Sequence, residues 1–161
     1  RGDAIHQLIE LATAFGIQSV GITDKNDGTN PPTLPNHFET SLRDFEAELI
    51  SLIDLGKEAI LRKILCGLDS SGVNREMDSK ALNKRAHKKH GIGASLFTQN
   101  LILANITLTD IENLKAFYLT WFSINKSYPL GLLIGEHIEL SEIPAIYQTV
   151  IKEAKKLVEN A

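Results

Sequence analysis

Apolar residues in this chain recur at intervals of three and four, and that spacing narrows the possible folds more than any other feature. Near the C-terminus Ile143, Ile146, Tyr147, Val150, Ala154, Leu157 and Val158 form one stripe. At 3.6 residues per turn these positions share a helix face. Leu114, Phe117, Tyr118, Trp121 and Ile124 repeat the spacing, as do Leu42, Phe45, Leu49, Leu52 and Ile53, followed by Ile60, Leu61, Ile64 and Leu65. Ile5, Leu8, Ile9 and Ala12 add a shorter stripe near the start. A helix with one apolar face must bury it against another element, and several such helices make a bundle. The expected fold class is all-α: a bundle of about five to seven helices, with room for one short two-stranded element.

Local punctuation divides the stripes. Gly16 can end the first helix. Gly56 interrupts the run over 37–67, which is then one weakened helix or two. Asp78 or Ser79 suits the N-cap of a helix over 78–90, with Gly91 just past its end. Residues 93–105 read as another helix, through Leu96, Phe97, Leu101 and Ala104. Thr109-Asp110-Ile111-Glu112 has the form of a capping box, and Pro129 closes the helix it starts. The last helix opens at Ser141, with Pro144 tolerated in its first turn. Residues 24–36, "DKNDGTNPPTLPN", are rich in turn formers, so a mobile loop is expected there. "GIQSVGITD" (16–24) and "PLGLLIGEHIEL" (129–140) fit helix or strand. If both are strands they can pair, giving a small α+β domain. With no internal repeat, 1–161 reads as a single helical domain.

The 161 residues, 43% apolar and 23% charged, suit one ordinary globular domain. A net charge of -3 offers no overall attraction to nucleic acid or anionic membrane, so any such binding must be local. Cys66 is the one cysteine. This excludes a disulfide within the chain and suits a reducing compartment, so a cytoplasmic location is expected. No apolar run reaches the roughly 18 residues of a membrane span, and no membrane partner is expected. The chain begins at Arg1 and its one methionine is Met77, so a processed product or a piece of a larger protein is expected. Arg1-Gly2-Asp3 and the acceptor patterns at Asn105 and Asn125 are short enough to arise by chance.

No constellation for catalysis stands out. Cys66, between Leu65 and Gly67 on an apolar helix face, reads as a buried structural cysteine. His87 and His90 could share a face, but no Cys, Asp or Glu completes a metal set, and the surrounding lysines repel cations. Glu136, His137 and Glu139 form an acid–His–acid cluster that could do proton transfer, yet it lacks a third convergent group. Asp44, Glu46, Glu48, Asp54 and Glu58 read as a solvated outer face. The glycines of "KKHGIG" and "GLDSSG" match no phosphate-binding loop. No catalytic residue, metal, cofactor or small-molecule substrate is assigned.

The charge itself is unevenly placed. "SKALNKRAHKKHGIG", residues 79–93, holds Lys80, Lys84, Arg85, Lys88 and Lys89, five of the chain's 17 Lys and Arg, beside His87 and His90 and with no acid. On a helix Lys80, Lys84 and Lys88 form one ridge, and Arg85 and Lys89 a second. Only Ala81, Leu82 and Ala86 are apolar. Like charges four apart repel by a few tenths of a kcal/mol per pair, so the helix gains from an anion laid against it. Phosphate is the natural choice, and five cations would give a salt-sensitive site that reads no sequence. His87 adds a hydrogen-bond donor and, in acid, a charge. Acids elsewhere in the bundle, or plain water, could answer the same charge. Phe122 and Tyr128 are the aromatics expected at the surface, where they could stack on bases.

A short, mainly helical chain carrying the basic run "KALNKRAHKK" at 80–89 resembles, in architecture, the helical small subunits of CRISPR effector complexes. That resemblance implies an accessory role beside other protein subunits, with Lys and Arg on RNA or DNA backbone. The expected function is a non-catalytic helical subunit binding nucleic-acid backbone through Lys80, Lys84, Arg85, His87, Lys88 and Lys89. A second reading is a protein-interaction or oligomerisation module without nucleic acid, using the stripe Ile143–Val158 or the Phe117–Trp121 face. A third is an enzyme of unrecognised type built on Glu136, His137 and Glu139.

Overall fold

Seven helices and two small two-stranded sheets make up the described part of the chain. The computed structural model describes residues 2–25, 32–90 and 96–159, and the side chains of 2–3 and 86–90 lie outside that description. In order these are α1 (Gly2–Ala14), β1 (Gly21–Thr23), β2 (His37–Glu39), α2 (Phe45–Asp54), α3 (Glu58–Leu68), β3 (Glu76–Met77), α4 (Ser79–His90), β4 (Leu101–Ile102), α5 (Ile111–Ile124), α6 (Tyr128–His137) and α7 (Ala145–Glu159). Single 3-10 turns lie at Gly72–Asn74 and Leu103–Asn105. The all-α class with a short two-stranded element is what the stripes predict. The chain sorts into two compact units, one of Arg1–Glu48 with Leu140–Ala161, the other Leu49–Glu139.

In the first unit α1 packs on β1. A Cβ at Gly21 would stand 2.7 Å from Ile5 Cγ2 and 3.0 Å from Ile9 Cδ1, so this close approach requires glycine. β1 pairs in parallel with β2, placing Gly21 opposite His37 and Thr23 opposite Glu39. "GIQSVGITD" is thus a strand at its end, but its partner is His37–Glu39, not the segment at 129–140. Of the loop expected at 24–36, residues 26–31 lie outside the described residues. Its far flank is tied down: Asn36 donates to the Ser19 carbonyl at 2.6 Å, and Gly21 donates to the Asn36 carbonyl at 3.0 Å. α7 sets Tyr147 edge-on against Phe45, ring centroids 5.5 Å apart. It starts four residues after Ser141, and the Pro144 carbonyl accepts the N–H groups of Tyr147 and Gln148.

The first turn of α2 overturns one expectation. Asp44, Glu46 and Glu48 are buried, not solvated. A helix start leaves N–H groups without intrahelical acceptors and carries the positive end of the dipole, so carboxylates are stabilised there. Asp44 Oδ1 accepts from Ala47 N–H at 3.0 Å, and Asp24 Oδ1 accepts from Phe45 N–H at 3.2 Å. Glu48 Oε1 reaches back to Leu42 N–H at 2.7 Å. Burial raises the Tyr147 hydroxyl's pKa, and the carboxylates of Glu48, Asp24, Glu46 and Asp44 raise it further. Of the five acids expected on an outer face, only Asp54 is exposed.

The second unit holds the largest buried side chains: Trp121, Tyr118, Phe117 and Phe122 on α5, with Leu61, Ile64 and Leu65 of α3, Leu82 of α4, and Leu103. Gly56 adopts φ 71° and ends α2, so the run over 37–67 is two helices preceded by a strand. Phe122, expected at the surface, is 1% exposed; it meets Trp121 edge-on at 5.2 Å. The helix expected at 93–105 is absent among the described residues. Leu101–Ile102 instead pairs antiparallel with Glu76–Met77. The segment at 129–140 is helical as far as His137, within α6, with Pro129 in its first turn, where a missing N–H costs nothing. The capping box does not form, because Asp110 takes the N-cap position. Its carboxylate accepts from Thr107 N–H and Oγ1, and Thr109 Oγ1 pairs with Thr107 Oγ1 at 2.9 Å.

Candidate nucleic-acid interface

Helix α4 carries the basic segment, and its anchoring decides which side chains face out. Asp78 caps the N-terminus: its Oδ2 accepts from Ala81 N–H at 3.1 Å. Asn100 holds the same end, accepting from Ser79 N–H at 2.9 Å and donating to Glu76 Oε1 at 2.8 Å. Leu82 is fully buried where α4 packs on α5. Beside it Asn83 pairs with the backbone of Phe97. Its Nδ2 donates to the Phe97 carbonyl and its Oδ1 accepts from Phe97 N–H, both at 2.8 Å.

With Leu82 and Asn83 turned inward, Lys80 and Lys84 are exposed and Arg85 is half-buried. Lys80 and Lys84 lie one turn apart on one ridge, about 6 Å along the axis. Among the described residues none of the three makes an ion pair, whereas Arg62, Arg75, Lys115 and Lys156 are paired with Glu58, Asp69, Asp54 and Glu153. The two acids preceding α4 are engaged already, Asp78 by the helix start and Glu76 by Asn100. The α4 helix runs on through His87, Lys88 and Lys89, whose side chains lie outside the described residues.

Charge is also segregated between the units. Leu49–Glu139 contains 11 Lys and Arg against 9 Asp and Glu, while the remainder contains 6 against 11. The basic helix therefore belongs to a unit of net positive charge within an acidic chain.

No aromatic side chain among the described residues joins this ridge as a stacking platform. Phe117, Tyr118, Trp121 and Phe122 are core, and Tyr128 sits on α6. Burial of Phe117 and Trp121 also removes that face as a partner contact. Asn83 and Asn100 are the residues that sequence reasoning missed. Asn83 carried a signal: asparagine is unfavourable inside a helix, so its place among good helix formers marks a side chain with a specific bond to make.

The other candidates are scattered. Cys66 is exposed, not buried, on the outer side of α3. Glu136, His137 and Glu139 are all exposed at the end of α6, with His137 Nε2 beside Gly67. A shallow cleft of about 290 Å³ in the first unit is lined by Thr13, Ile17, Ser19, Asn36 and Leu157, which offer no titratable group. Among the described residues no three His, Cys, Asp or Glu side chains converge as metal ligands, and no helix is long and apolar enough to cross a membrane. Comparison with protein-family models, with curated proteins and with solved structures gives no match to this chain.

Proposed function

We propose that this protein is a non-catalytic accessory subunit that binds the phosphate backbone of nucleic acid along α4, in the cytoplasm and within a larger complex. The carrying observation is the pair Lys80 and Lys84. They are exposed on one ridge of a helix pinned by Leu82, Asn83 and Asp78, with no acid of the described chain paired to them. A pinned helix loses little freedom on binding, so its charges act at low entropic cost. Arg85, half-buried, lies on the neighbouring ridge, and Lys88, Lys89 and His87 continue the basic run in sequence. Without a stacking platform the contact reads charge and not bases, and RNA and DNA backbones suit it alike. An accessory subunit also needs a protein contact. α1 leaves Leu8 and Leu11 exposed one turn apart, and Phe15 is exposed just past its end, in keeping with the role implied by the likeness to CRISPR small subunits.

Fluorescence anisotropy with labelled single-stranded and duplex RNA and DNA, across a salt series, tests this reading. Binding should weaken linearly in log Kd against log salt, with a slope near 0.9 per phosphate contact on a duplex. Lys80→Glu/Lys84→Glu should reduce that slope by about two contacts while leaving the fold intact, because both side chains are exposed. An absence of binding at low salt, or a slope that the double variant leaves untouched, reduces α4 to a solvated face.

A further inference from the structure

Helix α1 rests on the β1–β2 pair by a narrow seat. Among its described side chains only Ile9 is buried, while Ile5, His6 and Ala12 are half-buried. Ile5 and Ile9 close on Gly21, and the strand register sets His37 beside Gly21. The His6 ring lies 5.9 Å from the His37 ring, tilted by 50°. Among the described residues no hydrogen bond or ion pair ties α1 to another element. The helix is therefore held by a small apolar contact and by one imidazole laid against another.

The neutral form of His37 fits this seat and the charged form does not. Thr23 Oγ1 donates to the Phe38 carbonyl at 3.4 Å, so it accepts from His37 Nε2–H at 3.1 Å. The bare nitrogen is then Nδ1, which is buried and has no hydrogen-bond partner. A proton added there makes an N–H donor with no acceptor, on a ring only 8% exposed. Few charges bear on that ring. From α1 comes His6, whose Nε2 stands 3.3 Å from Glu10 Oε1, and from β2 itself comes Glu39. His6 opposes a charge on His37 and Glu39 favours it. β1 has no charged residue. α7 also packs on β2, but among the described residues none of its charged groups acts on His37. Moving α1 away removes the second imidazole and opens His37 to water. We propose that α1 is a strap released in mild acid, when His37 takes up a proton. Release uncovers Ile5, Ile9 and the β1 backbone at Gly21, an apolar face kept closed at neutral pH.

Hydrogen–deuterium exchange of the full chain at about pH 7.5 and 5.5, read by mass spectrometry, tests this. Rates are referred to an unstructured peptide of the same sequence at each pH. Protection over α1 should fall about tenfold between the two. That is the shift expected when an opened His37 titrates near pH 6.5 and the closed one stays neutral. α2 and α7 of the same unit, and α5, should keep their protection. With His37→Gln, α1 should be protected equally at both pH values. His6→Gln, a change at a half-buried ring, should shrink the loss. Its melting temperature at about pH 7.5 should stay close to the parent's. A parent chain whose α1 is equally protected at both pH values overturns the proposal. So does a loss that both variants leave unchanged. Protection lost over α1, α2 and α7 together also overturns it, because the whole unit then unfolds in acid.

Discussion

Asn83 and Phe97 exchange two hydrogen bonds of 2.8 Å, the side-chain amide of one against the backbone N–H and C=O of the other. The pairing fastens α4, mid-length, to the segment before β4. Phe97 is itself buried, so its backbone groups have little access to water. Asn83→Ala leaves both without a protein partner, and the cost should be about 1–3 kcal/mol. Urea unfolding measures it. Under the proposed function the same variant should also weaken nucleic-acid binding without changing the salt slope, because it removes no charge. An unchanged affinity would mean that α4 needs no such anchor.

Tyr118 and Glu58 are joined across 60 positions of sequence. The Tyr118 hydroxyl donates to Glu58 Oε1, which also accepts from Arg62 Nε at 3.2 Å. Burial raises the hydroxyl's pKa, and the Glu58 carboxylate raises it further, so it stays a donor. Tyr118→Phe keeps the ring but strips a donor from a buried carboxylate. The expected loss is about 1–3 kcal/mol in chemical denaturation. A loss below about 0.5 kcal/mol would show that Arg62 alone satisfies Glu58.

Asp44 caps α2 from a buried position, whereas Glu112, the acid of the expected capping box, is exposed. Asp44→Ala should therefore destabilise by about 0.5–2 kcal/mol. Glu112→Ala should stay within about 0.5 kcal/mol of the parent. Equal effects at the two sites would contradict this assignment of the helix starts.

His37 on β2 is buried; its Nε2 shares a hydrogen bond of 3.1 Å with Thr23 Oγ1, and its ring lies 5.9 Å from that of His6. Burial pushes its pKa below the ordinary imidazole value. His6 pushes the same way, and Glu39 opposes. The fold therefore favours the neutral ring, while the unfolded chain binds a proton near pH 6.5. Because the unfolded state binds more protons, stability rises with pH and is lost on acidification. The contribution is complete above about pH 6.5 and is lost as pH falls from there through the folded-state value. Thermal melts between about pH 7.5 and 5.5, compared with His37→Gln, should show a pH dependence that the variant flattens. Parallel curves for the two proteins would remove His37 as the cause.

Helices α2, α3, α5 and α7 were legible because apolar spacing at three and four is a local property: any helix with such a stripe has one face to bury. The cap at Asp78, the stop at Gly56 and the exposure of Lys80 and Lys84 belong to the same class. Each follows from residues within one or two turns. What eluded local reasoning depends on partners far along the chain. Asp44, Glu46 and Glu48 look like solvated acids until α2 is placed beside Asp24, whose own carboxylate takes up Phe45 N–H. Residues 129–137, short and apolar on most sides, fit strand and helix equally. Docking on α3, with Leu133 and His137 over Gly67, selects the helix. Leu101–Ile102 reads as helix until Glu76–Met77 offers it a strand to pair with. Apolar period and turn chemistry are written residue by residue, so the sequence by itself determined the helices that carry a long apolar stripe and some of their ends, such as the stop at Gly56 and the start at Asp78. Which polar groups enter the interior, and which way an ambiguous segment folds, is decided by the neighbour that satisfies the backbone, and only the tertiary structure supplies that neighbour.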